Sequence, residues 1–380
     1  MTSIHPETAA IHYRIDNAET SPVATPIYQN SAFTADSPYF YTRKSNPNSS
    51  ELEGALALLE RSRHVISTTT GMSAIMLVLQ LLRPGDHLVV NHTIYGCSYK
   101  LFQRYADRLG LKLTIMDLSD VSQRRQIPAD VNMLFFETPT NPFLKTIPIR
   151  ETAEIVAAKN PHAQIVVDNT WATPLFQNPL ECGATLSLAS ATKYISGHSD
   201  VMGGFIAVND EALAEVLLQH RFYTGAILDP HSAWLLRRSL HTLPLRMREH
   251  VRITQVLHRF LLSREEIDKV YMPDIEQDQL RDYGGILFFQ FAQLYQNAYA
   301  QFIKSLKLFD TGTGMACVSS MVAQPWSGSH ASLEEHEKRQ MGIDSGLVRL
   351  CFGLENETDL IRDLTASFEA LKAIVGKTAP

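Results

Sequence analysis

The chain has few cysteines and spaces them widely, at Cys97, Cys182, Cys317 and Cys351 among 380 residues. None belongs to a C-x-x-C pair, so the pattern indicates no zinc site and is typical of a protein in a reducing compartment. Long hydrophobic runs are also missing. The longest strongly apolar run, AIMLVL before Gln80, is far shorter than the ~20 residues that a membrane span requires.

A surplus of positive charge is absent too, since 34 lysines and arginines stand against 40 aspartates and glutamates, for a formal net charge of −6. Nucleic-acid binding usually requires a basic face, so we expect no nucleic-acid partner. The opening MTSIHPETAA has neither the basic stretch nor the apolar core of a secretory leader. These absences predict a cytoplasmic protein that acts on a small molecule and has no membrane partner.

From about residue 60, short apolar runs alternate with helical patterns. The runs lack strict polar–apolar alternation, which is typical of buried parallel strands; they are HVIST (64–68), HLVV (87–90), KLTIM (112–116), NMLFF (132–136), QIVVD (164–168) and GFIAV (204–208). Strands that alternate with helices predict an α/β fold in which helices cover both faces of a mostly parallel sheet.

The pattern changes after about residue 210, where long helical segments are interrupted at Pro244. Two further strand candidates, GGILFFQF (284–291) and LVRLCFG (347–353), precede a final amphipathic helix. We therefore predict three parts, which are an extended N-terminal arm (1–50), a large domain (51–245) and a smaller C-terminal α/β domain (246–380).

Ligands of open α/β sheets bind beyond the carboxyl ends of the strands, so polar residues that follow strand candidates are the first candidates for a site. Gly71 and Met72 open a helix after HVIST, where backbone N–H groups suit a phosphate, although such glycine turns often serve packing alone. Asp168 closes the strand QIVVD. It could cap a helix, bind a metal or pair with a cationic ring nitrogen.

Ser190 and Thr192 place two hydroxyls directly before Lys193 and after the strand-like TLSLA. Hydroxyls at this spacing can hold a phosphate while a lysine of depressed pKa reaches a carbonyl carbon. The alternative is an exposed lysine at a strand end. His198 and Asp200 follow in GHSD without a spaced partner, so we interpret them as hydrogen-bonding loop residues rather than metal ligands.

Three further places carry polar or aromatic residues that fit a ligand. Tyr95, after HLVV, could stack on a flat cofactor or roof the core. Tyr41 and Arg43 would project the same way from an extended arm, and an arginine can bind a phosphate with two parallel hydrogen bonds. Arg349 interrupts an apolar strand and should face an anion, either a substrate carboxylate or a structural ion-pair partner.

These features together describe pyridoxal phosphate (PLP), which has a phosphate, a planar ring, a ring cation and an aldehyde. The same segments resemble the Cys/Met-metabolism PLP enzymes, the group of cystathionine β- and γ-lyases, cystathionine γ-synthase and methionine γ-lyase. The most specific segment is VVDNTWATPLFQNPL followed by ASATKYISGHSDVMGG; TTTGMSAI, HTIYG, ETPTNP, LLRRSLHTL and LVRLCFGLE also match. The resemblance extends almost from end to end.

The resemblance implies fold type I of the PLP-dependent transferases and a homotetramer built from dimers with shared active sites. It also implies residue roles. Lys193 would bind the cofactor covalently and shuttle protons, Asp168 would keep the ring nitrogen protonated, Tyr95 would stack on the ring and Asn141 would bond its hydroxyl. The phosphate would contact Gly71, Met72, Ser190 and Thr192, with Tyr41 and Arg43 from the neighbouring subunit; the substrate would contact Arg349 and Thr313.

The chain departs from the family pattern at a few positions. YTRKSNPN carries Ser45 and Asn48 where the family has Gly and Thr, and GAT carries Thr185 where it has Asp. Near the end, Gly314 stands where the family commonly has serine. The residue before it, Thr313, stands at a position whose residue usually distinguishes the β-acting from the γ-acting members. The leading prediction is a PLP-dependent carbon–sulfur lyase that acts on cystathionine or related sulfur amino acids, and the departures leave open whether it eliminates at the β or the γ carbon. The alternative is γ-replacement on an activated homoserine, as in a cystathionine γ-synthase. A non-catalytic binding module and an aminotransferase are the remaining alternatives.

Overall fold

The computed structural model describes residues 4–15, 22–275 and 278–378. Its helices are α1 (Pro6–His12), α2 (Pro47–Glu60), α3 (Gly71–Leu79), α4 (Gly96–Leu109), α5 (Val121–Arg124), α6 (Ile149–Lys159), α7 (Thr173–Phe176), α8 (Glu211–Thr224), α9 (Pro230–Leu240), α10 (Leu243–Leu262), α11 (Tyr299–Ser305), α12 (Glu335–Gln340) and α13 (Glu357–Thr378). Its strands are β1 (His64–Thr68), β2 (His87–Asn91), β3 (Lys112–Met116), β4 (Met133–Glu137), β5 (Gln164–Asp168), β6 (Leu186–Ala189), β7 (Gly204–Val208), β8 (Ile267–Tyr271), β9 (Ile286–Phe291), β10 (Asp310–Thr311), β11 (Met321–Ala323) and β12 (Leu347–Cys351).

The larger sheet has seven strands in the order β1-β7-β6-β5-β4-β2-β3. All neighbours are parallel except β7, which is antiparallel to both β1 and β6. The apolar run AIMLVL lies in α3, where most of its side chains are buried because the helix packs against β6 and β7. The mostly parallel sheet is therefore confirmed, and the carboxyl ends of β4, β5 and β6 lie together at one edge.

The smaller sheet has five strands in the order β10-β11-β12-β9-β8. Its central strands β9 and β12 correspond to the two strands that the sequence predicts in this region. The sequence analysis missed β8, β10 and β11, which are exposed or very short. A separate apolar cluster lies on this sheet and is formed by α10, α11, α13 and the strands themselves.

The long helical region after residue 210 breaks at residues 225–229 and again at 241–242, and Pro244 lies in the first turn of α10. A proline is tolerated there because the first N–H groups of a helix lack intrahelical acceptors. The N-terminal stretch is not extended throughout, since it contains α1. Asn48 attaches this stretch to α2: its Oδ1 accepts from Tyr28 N at 2.8 Å and its Nδ2 donates to Pro26 O at 2.8 Å. Among the described residues, no helix is long and apolar enough to cross a membrane.

Candidate active site

The start of α3 and the segment after β6 meet at the carboxyl edge of the larger sheet. Thr70 caps α3 by accepting a hydrogen bond from Ser73 N at 3.0 Å. A Cβ on Gly71 would lie 2.8 Å from the Ser190 Cβ, so only glycine fits without displacement. The amides of Gly71 and Met72 have no recorded acceptor in the described part of the chain. Two free N–H groups at a helix N-terminus suit a phosphate.

The two hydroxyls before Lys193 differ in their bonding. Ser190 donates its backbone N–H to Thr170 Oγ1 at 2.8 Å, while its own hydroxyl has no recorded bond to a described residue. Thr192 Oγ1 donates to Gly203 O at 3.2 Å and accepts from Gly203 N at 3.0 Å. Ser190 can therefore donate to a ligand directly, whereas the Thr192 hydroxyl must first turn away from Gly203.

Lys193 lines a cavity of about 550 Å³ together with Thr69, Thr192, Gly314 and Met315. Its side chain is partly buried, and Nζ forms no ion pair with any residue in the described ranges. Burial, followed by the nearby positive charge of Arg349, lowers the pKa of Lys193 from its ordinary value. The surroundings thus favour the neutral amine, which is the form that can act as a nucleophile or base.

Asp168 is buried at the end of β5, with 8% of its surface exposed. Its Oδ1 accepts two hydrogen bonds from Thr170, from the backbone N at 3.0 Å and from Oγ1 at 2.5 Å. Burial raises the pKa of Asp168 to about 6 despite these two donors. A cation placed beside this carboxylate would offset its desolvation, which is what a protonated ring nitrogen would do.

Tyr95 stands at the N-cap of α4, between the larger sheet and the solvent. Its backbone N donates to Glu137 Oε1 at 2.9 Å, and its surface is 36% exposed. Burial of its hydroxyl, and then contact with Cys97, raises the pKa of Tyr95 to about 12. Asn141, which follows Glu137 in the motif ETPTNP, is buried. Its Oδ1 has no hydrogen-bond partner in the described part of the chain.

Arg349 projects from β12 of the smaller sheet and is 2% exposed. Its Nη2 donates to Thr313 O at 3.1 Å and to Gly314 O at 2.8 Å, and its Nη1 contacts Met315 Sδ at 3.6 Å. The Nε atom is buried without a partner among the described residues. A substrate carboxylate could therefore bind Nε and the N–H groups of Nη1 without replacing the two backbone carbonyls on Nη2. Thr313 contributes its carbonyl to this arrangement; its side chain is exposed.

Tyr41 and Arg43 lie together beside α8. Arg43 donates to Phe222 O at 2.8 Å, and its guanidinium carbon lies 4.2 Å from the centre of the Phe222 ring and 5.5 Å from that of Tyr41. No recorded hydrogen bond joins either side chain to the other predicted site residues in the described ranges. Their expected contact with a neighbouring subunit stays a prediction.

Helix α10 is hydrogen-bonded both to the segment that contains Lys193 and to the residue that follows β12, the strand of Arg349. Arg246 Nη1 donates to Tyr194 O at 2.7 Å, immediately after Lys193. One turn further, His250 Nδ1 pairs with Phe352 O at 2.9 Å, just beyond the end of β12. Sequence analysis missed these positioning contacts because they join segments that are distant along the chain.

Sequence analysis gave one further residue, Glu137, no role, and it interpreted two others, His198 and Asp200, as loop residues. Glu137 was part of the motif ETPTNP but received no role, although it ends β4 as Asp168 ends β5. His198 is a loop residue as predicted, since its Nδ1 pairs with Ser196 O at 2.6 Å, and Asp200 Oδ1 accepts from Ser196 Oγ at 3.3 Å.

Similar proteins come from one group of enzymes. A family model described as "Cys/Met metabolism PLP-dependent enzyme" matches residues 7–369. A cystathionine beta-lyase of Coxiella burnetii is 36% identical, with 96% of this chain and 97% of that protein covered. An L-methionine gamma-lyase of Fusobacterium nucleatum is 32% identical, with 96% and 98% covered. The crystal structure of cystathionine gamma synthase from Xanthomonas oryzae, in complex with aminoacrylate and cysteine, has a TM-score of 0.94 at 34% identity and covers 98% of this chain and 100% of that chain.

Proposed function

Because the chain belongs to the Cys/Met metabolism PLP-dependent enzymes, we propose that it is a carbon–sulfur lyase acting on cystathionine or a related sulfur amino acid. Its products would be an oxo acid, ammonia and a thiol. The match to the family model confirms the predicted family and the PLP cofactor. The likeness to the solved structure confirms the predicted α/β fold class. The exact reaction and the roles of individual residues are the subject of the proposal.

The residues present fit the cofactor. The start of α3 offers a phosphate two N–H groups that have no acceptor within residues 4–15, 22–275 and 278–378. Asp168 is a buried carboxylate without a counter-ion among the described residues, and a ring cation would supply one. Asn141 Oδ1 is buried without a partner in the same part of the chain, and a ring hydroxyl could donate to it. The phosphate, the ring cation and the ring hydroxyl of PLP would thus bind the N–H groups of α3, the Asp168 carboxylate and Asn141 Oδ1, respectively.

The observation that carries the proposal is that Lys193 lines one cavity with Gly314, whose carbonyl accepts a hydrogen bond from Arg349 Nη2 at 2.8 Å. The positive charge of Arg349 also lowers the pKa of Lys193. When bound, PLP supplies an electron-accepting ring that lowers the cost of breaking bonds at the amino-acid α-carbon. Lys193 would hold the cofactor and, as a neutral amine, remove the α-proton. Arg349 would bind the α-carboxylate and so present that proton to Nζ. Tyr95 would cover the ring, and Asp168 would balance its charge.

Product analysis tests the proposal. Purified enzyme is incubated with cystathionine alone, and the products are separated by mass spectrometry. A β-eliminating lyase releases homocysteine, pyruvate and ammonia, whereas a γ-eliminating lyase releases cysteine, 2-oxobutyrate and ammonia. Absence of both oxo acids from cystathionine, cysteine and methionine would contradict the lyase assignment.

The second candidate is γ-replacement on an activated homoserine. It is favoured by the likeness to the Xanthomonas cystathionine gamma synthase, whose TM-score is 0.94. This activity requires an O-acylated homoserine and a thiol together, and it yields a thioether and the free acid. Assays with cysteine and O-acylated homoserines, each alone and combined, separate it from the lyase reaction.

We also propose the assembly and location that the family suggests. The chain would form a homotetramer whose active sites are shared within dimers, with Tyr41 and Arg43 reaching the phosphate of the neighbouring subunit. The large domain would end near residue 245 and the smaller domain would follow. The proposed location is the cytoplasm.

A further inference from the structure

Two buried carboxyl groups stand side by side at the edge of the larger sheet. Glu137 ends β4 and Asp168 ends β5, and the two residues are direct partners in the parallel register. Neighbouring strands lie ~4.8 Å apart, and residues in register point to the same face. Glu137 is 2% exposed and Asp168 is 8% exposed, so little water separates or screens them.

The charges around this pair do not balance if both groups are ionised. No described lysine, arginine or histidine forms an ion pair with either carboxylate, and the titratable groups that face Glu137 are Asp168 from β5 and Tyr95 from the start of α4. The ring cation of the proposed function supplies one positive charge. A second buried negative charge beside the first would remain unpaired, which is costly in a low-dielectric interior. One carboxyl group therefore has to keep its proton.

Local hydrogen bonds decide which group keeps the proton. Asp168 receives two Thr170 donors on one oxygen, and these favour its ionised form. Glu137 receives the Tyr95 amide on Oε1, while its Oε2 is buried without a hydrogen-bond partner in the described part of the chain. Burial and then the Asp168 charge raise the pKa of Glu137 well above its ordinary value. The Tyr95 amide, the Trp171 side chain and the Asn141 backbone oppose this rise without reversing it, and only the Tyr95 amide lies in hydrogen-bonding geometry.

We propose that Glu137 is a positioning residue that stays protonated in the cofactor-loaded enzyme. Through Oε1 it holds the Tyr95 backbone, and therefore the ring that is to cover the cofactor. By remaining neutral it leaves Asp168 as the single negative partner of the cofactor's ring nitrogen. The proposal rests on the proposed placement of the cofactor between Tyr95 and Asp168.

The test compares the wild-type holoenzyme with Glu137→Gln, which keeps the Oε1 acceptor and is neutral at every pH. The infrared difference spectrum between the wild-type holoenzyme and the Glu137→Gln holoenzyme should contain the C=O band of a protonated carboxyl group that only the wild-type enzyme has. The pH midpoint of the bound cofactor's visible absorption should change by less than about 0.3 pH unit, because no charge is lost. Absence of the C=O band, or a midpoint shift of about one pH unit or more, would overturn the proposal.

Glu137→Ala separates positioning from charge. It removes the acceptor for Tyr95 N, so the dissociation constant of PLP should rise about tenfold. In Glu137→Gln, which keeps the acceptor, the dissociation constant of PLP should stay within about threefold of the wild-type value. Unchanged PLP affinity in Glu137→Ala would refute the positioning role. Equilibrium dialysis of apoenzyme with PLP gives both constants.

Two controls keep the outcomes distinct. Glu60→Gln removes another fully buried glutamate, on α2, and should delete its own infrared band without altering the cofactor absorption. Asp168→Ala tests the proposed function itself: unchanged PLP affinity and absorption would remove Asp168 from the cofactor site. That result is independent of whether Glu137 carries a proton.

Discussion

Lys193 is a cationic residue type in surroundings that disfavour a cation. Its pKa is lowered by burial and by Arg349, and it lines a cavity of about 550 Å³. The sequence predicts this lysine as a site residue because the two hydroxyls before it and the glycines after it are unusual for a surface position. It also predicts Arg349 as a site residue, since a charge within an apolar strand requires a partner.

Replacement of Lys193 by alanine is predicted to reduce turnover at least about 1,000-fold, because the base and the cofactor's attachment point are both lost. The matched control is Lys304→Ala, which removes an exposed lysine of α11 and should leave turnover within about twofold. Oxo-acid release and reduction with borohydride measure the two effects. Turnover near wild type in Lys193→Ala would remove this residue from the mechanism.

Glu60 gives a prediction about stability and pH. It is fully buried at the end of α2, its Oε2 pairs with Ser187 Oγ at 3.1 Å, and burial raises its pKa to about 8. Between its unfolded pKa near 4.5 and its folded pKa near 8, the folded state binds the extra proton. The stability that Glu60 contributes is therefore complete below about pH 4.5 and is lost as the pH rises towards 8.

Glu60→Gln removes this dependence because the amide does not ionise. The free energy of unfolding of the variant, relative to wild type, should rise by up to about 1.4 kcal/mol per pH unit between pH 5 and pH 8. Urea unfolding at a fixed protein concentration measures it. The exposed Glu154→Gln should show no such trend, and a difference that is constant across this pH range would mean that Glu60 is ionised throughout.

At the scale of elements, most of the strands that the sequence predicted in the larger sheet are buried. Strands β1, β2, β4, β5 and β7 are almost entirely buried and rich in apolar residues, so composition distinguishes them from loops. The edge strand β3 was predicted from KLTIM although it is partly exposed. Strand β8 carries exposed Asp268 and Lys269, and β10 has only two residues, so neither has a hydrophobic signature. Contacts between elements, such as those of Arg349 with Thr313 and Gly314, depend on the folded chain and were not predictable.

One departure from the family pattern has a local explanation in these contacts. Gly314 stands where the family commonly has serine, and a Cβ at this position would lie 2.6 Å from Met321 Sδ. A serine would therefore require Met321 on β11 to move. The Gly314 carbonyl also accepts a hydrogen bond from Arg349 Nη2 at 2.8 Å. The space that Gly314 leaves free is thus occupied by the end of the Met321 side chain.

The contact between α3 and the segment after β6 leads to a prediction about cofactor binding. Gly71→Ala would place a Cβ 2.8 Å from the Ser190 Cβ, so the two phosphate-binding segments must separate. We expect the dissociation constant of PLP to rise about tenfold, because the phosphate contacts depend on their spacing. Fluorescence titration of the apoenzyme measures it. Gly110→Asn is the control, since Gly110 is a left-handed helix cap with open space around it. Equal affinities for the two variants would place the phosphate elsewhere.

At the scale of the whole molecule, the family resemblance predicts that Tyr41 and Arg43 complete a site on another subunit; within its own chain, Arg43 donates to Phe222 O of α8. Lys193→Ala and Arg43→Ala should each be nearly inactive alone. In a mixed dimer, one of the two sites contains both wild-type residues. An unfractionated random mixture should therefore have about a quarter of wild-type activity, and assemblies selected through both tags should have between about a quarter, for tetramers, and about a half, for dimers.

Co-expression of the two variants with different affinity tags, followed by purification through both tags, gives the mixed assembly for this assay. Two Lys193→Ala chains carrying different tags are the control and should remain inactive. If the mixed assembly is as inactive as its parents, Arg43 serves its own subunit or no site at all. The sequence could propose this arrangement only through family resemblance, because the partner's surface is not encoded in any local pattern.

Helix α10 is hydrogen-bonded to the residue after Lys193 through Arg246 and, one turn later, to the residue after β12 through His250. One helix therefore connects the segment that carries the lysine with the strand that carries Arg349. A substitution that removes either contact should change how these two segments are held relative to each other.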